Sequence, residues 1–130
     1  MPVHAHEAVL ELETDADAAA PGAAVTVELC GHWQHEGTCR WPHRTVVISQ
    51  VGRVLSARVL YAAPPPELEE VRSRVVAGLN RGELTGPDGA VHHWRVRREG
   101  VSCPLEGEEP LVKELSRLGG AGAHGSGGVP

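Results

Sequence analysis

Residues 45–63 read TVVISQVGRVLSARVLYAA, two apolar halves around Gln50, Val51, Gly52 and Arg53. Two β-branched runs flanking a tight glycine turn fit an antiparallel hairpin better than any helix. Side chains alternate along a strand, so Leu55, Ala57, Val59 and Tyr61 of the second arm share one face and are expected to line the core. Pro64, Pro65 and Pro66 stop that arm, and a helix is expected to begin beside them, because proline is tolerated in a first helical turn.

That helix is marked by Leu68, Val71, Val75 and Leu79 at helical spacing. Glu67, Glu69 and Glu70 stand at its positive N-terminal end, and Gly82 is placed to close it. Beyond it, GELTGPDGAVHHWRVRRE predicts a second hairpin, with Pro87, Asp88 and Gly89 in the turn. Residues 7–13, EAVLELE, alternate as a short strand, and TDADAAAPG supplies the turn that ends it. AAVTVELCGHW then predicts a long strand from Ala23, with Val25, Val27, Leu29 and Trp33 on one face and Thr26, Glu28, Cys30 and His32 on the other. A shorter helix is expected over 108–118, where Leu111, Leu115 and Leu118 share a face and Gly119 stops it.

The expected fold class is α+β: a mainly antiparallel sheet of about five to six strands and two helices, one after the fourth strand and one near the C-terminus. At 130 residues the chain has room for one core, so residues 1–118 are expected to form a single domain and 119–130 a disordered glycine-rich tail. The core should be aliphatic, since phenylalanine is absent.

The chemistry concentrates in residues 30–43, CGHWQHEGTCRWPH, which hold two of the three cysteines and three of the eight histidines. Cys30, His32, His35, Cys39 and His43 are five candidate metal ligands, spaced C-x-H-x2-H-x3-C-x3-H. Zinc takes four thiolate and imidazole ligands in a tetrahedron, so the expected set is Cys30, His32, Cys39 and His43, with His35 as alternate. Copper is the other metal these ligands suit, although the only methionine is Met1 and a blue-copper site usually adds an axial one. The competing reading is a disulfide between Cys30 and Cys39, disfavoured in a reducing compartment. Trp33 and Trp41 flank the cluster as candidate apolar walls.

Three functions follow from such a site. A closed four-ligand site belongs to a non-enzymatic binding or accessory module whose partner is another protein. An open site, with Glu36 as general base, belongs to a small metal-dependent hydrolase or lyase. Exchangeable ligands belong to a metal-handling protein. The stretch HEGTC resembles the HExxH arrangement of metalloproteases with Cys39 replacing the second histidine, but Gly37 and the loop setting deny it the required helix.

Elsewhere, His92 is expected to face inward beside Trp94, His93 to face out, and Cys103 to be a small, partly buried residue. A net charge of −5 with histidine neutral, and a single arginine cluster at Arg95, Arg97 and Arg98, argue against nucleic-acid binding. Neither a membrane-spanning stretch nor an apolar signal core is present, and the expected location is the cytoplasm.

Overall fold

A computed structural model describes residues 1–31 and 40–128, with side chains placed as far as Leu118. Five strands form one antiparallel sheet in the order β2-β3-β1-β5-β4. They are β1 (Val3–Leu12), β2 (His43–Val51), β3 (Val54–Ala62), β4 (Glu83–Thr85) and β5 (Val91–Ser102). The helices are α1 (Ala20–Cys30), α2 (Leu68–Leu79) and α3 (Glu109–Gly128). The protein is α+β, as the sequence pattern predicts.

Since β3 is antiparallel to both β1 and β2, and β1 to both β3 and β5, β1 runs parallel to β2 and β3 to β5; α1 joins the first pair, α2 followed by the short β4 joins the second, and β1 lies in the centre. The hairpin around Gly52 forms as expected, Gly52 taking a positive φ of 59° that a side chain would resist. Leu55, Ala57, Val59 and Tyr61 are all buried. With Ala8, Leu10 and Leu12 of β1 they form the sheet side of the main core, under α1 and α2. Among the described residues no helix is long and apolar enough to cross a membrane.

The largest correction concerns residues 23–33. The predicted strand is the helix α1, so the described residues form three α-helices, and α2 follows the third strand instead of the fourth. Ala20, Pro21, Ala24, Val25 and Leu29 are its buried residues, a helical spacing hidden beneath the alternation of Val25, Thr26 and Val27. Being covered by the sheet and by α2 together, α1 has apolar residues around much of its circumference, which blurs the periodic signal. Pro21 in the first turn and Gly31, left-handed at φ 82°, mark its ends.

Helices α1 and α2 touch at Gly78, where a Cβ would lie 2.7 Å from the Val25 Cα. Helix α2 stops at Leu79, and Gly82 serves the turn into β4 instead of closing the helix. The second helix predicted near the C-terminus starts at Glu109 and continues past Leu118, so the stretch expected to be a tail carries helical backbone through Gly128. Extending an existing helix adds one hydrogen bond per residue and needs no new nucleus.

Candidate functional site

The predicted cluster lies where α1 ends and β2 begins. Cys30 is the last residue of α1, and the Gly31 N–H turns back to Val27 O at 2.8 Å. Cys30 therefore projects from a helix and not from the strand face expected of it. His32, His35, Glu36, Cys39 and Trp33 fall outside the described residues. Cys30 is disulfide-bonded, its partner lying outside the described residues. A sulfur so bound is not a thiolate and does not ligate metal until reduced.

His43, the first residue of β2, is buried, and both its ring nitrogens are engaged. Nδ1 donates to the Trp41 carbonyl at 2.9 Å, and Nε2 lies 3.1 Å from Thr26 Oγ1. A carbonyl only accepts, so Nδ1 carries a proton, while Nε2 faces a Thr26 hydroxyl that also donates to the Gly22 carbonyl at 3.2 Å. Thr26 and Cys30 are four residues apart on α1 and share its face. That placement puts Cys30 one turn beyond the group that meets His43.

Trp41 is buried and anchors this corner. Its indole N–H donates to Glu67 Oε1 at 2.7 Å, and Arg40 donates to Glu67 Oε2 at 3.1 Å. The Trp41 hydrogen bond, more than the Arg40 charge, holds the Glu67 carboxyl below its usual range. The guanidinium groups of Arg40 and Arg74 stand 4.8 and 5.2 Å from the centre of the indole ring, within cation–π reach.

Two residues continue the site across the sheet: Tyr61, which the sequence pattern places in the core, and His4, which it leaves unassigned. In register, His43 pairs with Tyr61 and Tyr61 with His4, giving a row of rings on the helix side. The His4 and Tyr61 ring centres are 5.7 Å apart. Burial, and then the charge of Arg72, push the His4 imidazole below its ordinary range. The Tyr61 hydroxyl, His4 Nε2 and Arg72 Nε are buried without a hydrogen-bond partner. The alternation of His4, His6, Ala8, Leu10 and Leu12 on one face was the signal that could have found the row.

Among the described residues, no group of three or more His, Cys, Asp or Glu side chains is arranged to hold a metal ion. His92 is half-buried, and its Nδ1 accepts the Asp17 N–H at 3.0 Å. His93 lies 3.5 Å from the Glu83 carboxylate near the surface. Cys103 is a free, exposed thiol just past the end of β5, and the expected partial burial does not hold. Arg95 donates to Glu11 at 2.8 Å, so one cation of the arginine cluster is paired locally.

On the other face of the sheet, β2, β3, β1 and β5 floor a cleft of about 450 Å³. Val9, Ile48 and Leu105 supply apolar walls and Arg98 stands at the rim. At its base Arg58 is only 4% exposed. All five of its N–H groups are bonded: two to Glu108 at 2.8 and 3.0 Å, one to Glu7 at 2.8 Å, one to Ser102 Oγ at 3.0 Å and one to the Cys103 carbonyl at 2.7 Å. The paired guanidinium holds the Glu108 carboxyl below its usual range. No protein-family model, curated protein or solved structure matches this chain.

Proposed function

We propose that the protein is a small non-enzymatic accessory module that binds another protein along the β2 side of its sheet. The observation that supports this reading is the combination of an edge strand with no outer neighbour among the described residues and an adjoining cleft. β2 ends the sheet and exposes Val47, Ile48 and Val51 at 45%, 55% and 78%. Such edges attract pairing from other chains unless they are covered. The buried cation of the cleft has every donor engaged within the protein, so what the cleft offers a visitor is apolar wall and a charged rim, which suits contact more than chemistry.

The test places a photo-crosslinking residue at Ile48 and, as control, at Glu69, an exposed position on α2. One protein crosslinked from position 48 and not from 69, in a native extract, is the expected result. Equal labelling from both positions would sink the reading.

A second reading, the zinc-binding accessory module, is favoured by the orientation of His43. Metal-bound histidines commonly donate the second ring N–H to a carbonyl, as His43 does to Trp41. In that form Cys30, reduced, would join His43 with Cys39 and His32 or His35, and copper is the alternative metal. A disulfide at Cys30 also runs against a cytoplasmic location, where thiols are kept reduced. Elemental analysis of reduced protein decides: about one zinc per chain supports the metal form, and none, with His43 still bonded to Thr26, removes it. The hydrolase or lyase reading rests on Glu36, which lies outside the described residues.

A further inference from the structure

We propose that α3 is a releasable cover over the second face of the sheet, latched at its N-terminal end by Arg58 and Glu108. Its apolar attachment is slight. Among the described side chains of α3 only Leu115 is fully buried, against Ala5, Leu60 and Ala62, with Leu111 and Val112 partly buried beside it. Two of the three sheet residues are alanines, which give a helix little surface to grip. The main core lies on the opposite face and shares none of these residues.

The latch supplies what the packing lacks. Glu108, in the single 3-10 turn Glu106–Glu108 just before α3, receives two parallel hydrogen bonds from Arg58 and one from the Leu105 N–H at 2.8 Å. The fork fixes both the position and the direction of the helix start, as bidentate guanidinium–carboxylate pairs do. Arg44 adds a second, more exposed tie to Glu114 at 3.2 Å. Arg58 itself belongs to β3 and is also held by Glu7, so the sheet half of the latch stays in place if the helix half leaves.

Between Ser102 and Glu106 the chain runs through Cys103, Pro104 and Leu105 with no regular structure, and Cys103 and Leu105 are exposed. Its ties are the Cys103 carbonyl to Arg58 and the Leu105 N–H to Glu108, so once Glu108 leaves Arg58 the connection beyond Cys103 can turn with the helix. With α3 lifted, Ala5, Leu60 and Ala62 join the cleft walled by Val9 and Ile48 as one continuous strip. The cover therefore sets how much of that face a visitor meets, a use that rests on the proposed binding role, whereas the opening itself does not.

Hydrogen exchange on the full chain tests the opening. The expected result is that amides of 109–118 exchange through a partial opening, well before those of β1 and β3, as units weaker than the whole do. Glu108→Gln should speed exchange in 109–118 roughly 10- to 100-fold, the range for losing a charged hydrogen-bond pair, with β1 unchanged. Leu115→Ala, which leaves the latch intact, should speed the same amides and spare β1. If α3 exchanges only with global unfolding, or either variant loosens β1 as much as α3, the cover is part of the core and the proposal falls. An α3 that opens while Ile48 crosslinks nothing would keep the cover and discard the binding role.

Discussion

On the helix side of the sheet, aliphatic residues from β1, β3, α1 and α2 bury one another in a single cluster that includes Trp41 and Trp94. On the α3 side, a buried arginine with all its donors engaged does the joining, and the apolar cluster has four buried members. Apolar burial is non-directional and accumulates with area, so the first face tolerates small displacements. A bidentate ion pair is directional and fails when one partner goes. One sheet thus carries a face that is held by area and a face that is held by aim.

The largest expected effect comes from removing one group on each face. Leu10→Ala, in the main core, should destabilise the whole domain by about 3 to 5 kcal/mol. Arg58→Ala leaves Glu108 and Glu7 without their cation and should cost up to about 3 kcal/mol, with Arg58→Met recovering much of it by filling the space. Urea unfolding followed separately by signals from β1 and from α3 would show it. A loss for Arg58→Ala that is equal in both signals would break the contrast between the faces.

A smaller effect is expected at the α1–α2 contact. Gly78→Ala would place its Cβ against backbone atoms of Val25, which cannot rotate away, so a loss of about 1 to 3 kcal/mol should outweigh the helix propensity that alanine adds. Thermal unfolding measures this, and a gain in stability would mean that α1 and α2 are more loosely packed than their closest approach implies.

The smallest effect, acid, sharpens the comparison. His4 has a depressed pKa, so the folded state prefers it neutral, and its contribution is complete above about pH 6.5 and lost as pH falls through its folded value. Glu108 is depressed from an ordinary carboxylate value, so its contribution persists to about pH 4.3 and is lost only below that. Acidification should therefore weaken the His4 face first and the α3 latch later. His4→Gln should flatten the stability curve as pH falls below about 6.5, and Glu108→Gln should flatten it below about 4.3. The reverse assignment would overturn the account.

Much of this architecture is legible in the sequence where one signal acts alone. The Gly52 hairpin, the Val71, Val75 and Leu79 stripe and the alternation of β1 each obey a single periodicity. Residues 23–30 satisfy two. Val25, Thr26 and Val27 suit a strand by their branching, while Pro21, Ala24, Val25 and Leu29 fit a helix, and the burial of α1 between sheet and α2 decides the matter. For the candidate site, His43 and Cys30 were legible by residue type, but Thr26, the group that meets His43, was not. Its role depends on α1 being a helix. The pairing of His4 with Tyr61, and of Arg58 with Glu108, joins residues about 50 or more apart in the chain, which no local pattern reports.

The central position of β1 has a consequence for the order in which the protein can assemble. Its partners are β3, which begins at Val54, and β5, which ends at Ser102. During synthesis the first strand therefore waits for both flanking strands to leave the ribosome, with Leu10 and Leu12 exposed meanwhile. The β2–β3 hairpin, whose arms adjoin in sequence, can close first and offer β1 its first edge. Completion comes when β5 arrives on the other side, so a chain cut short before residue 91 would keep one flank of its central strand bare.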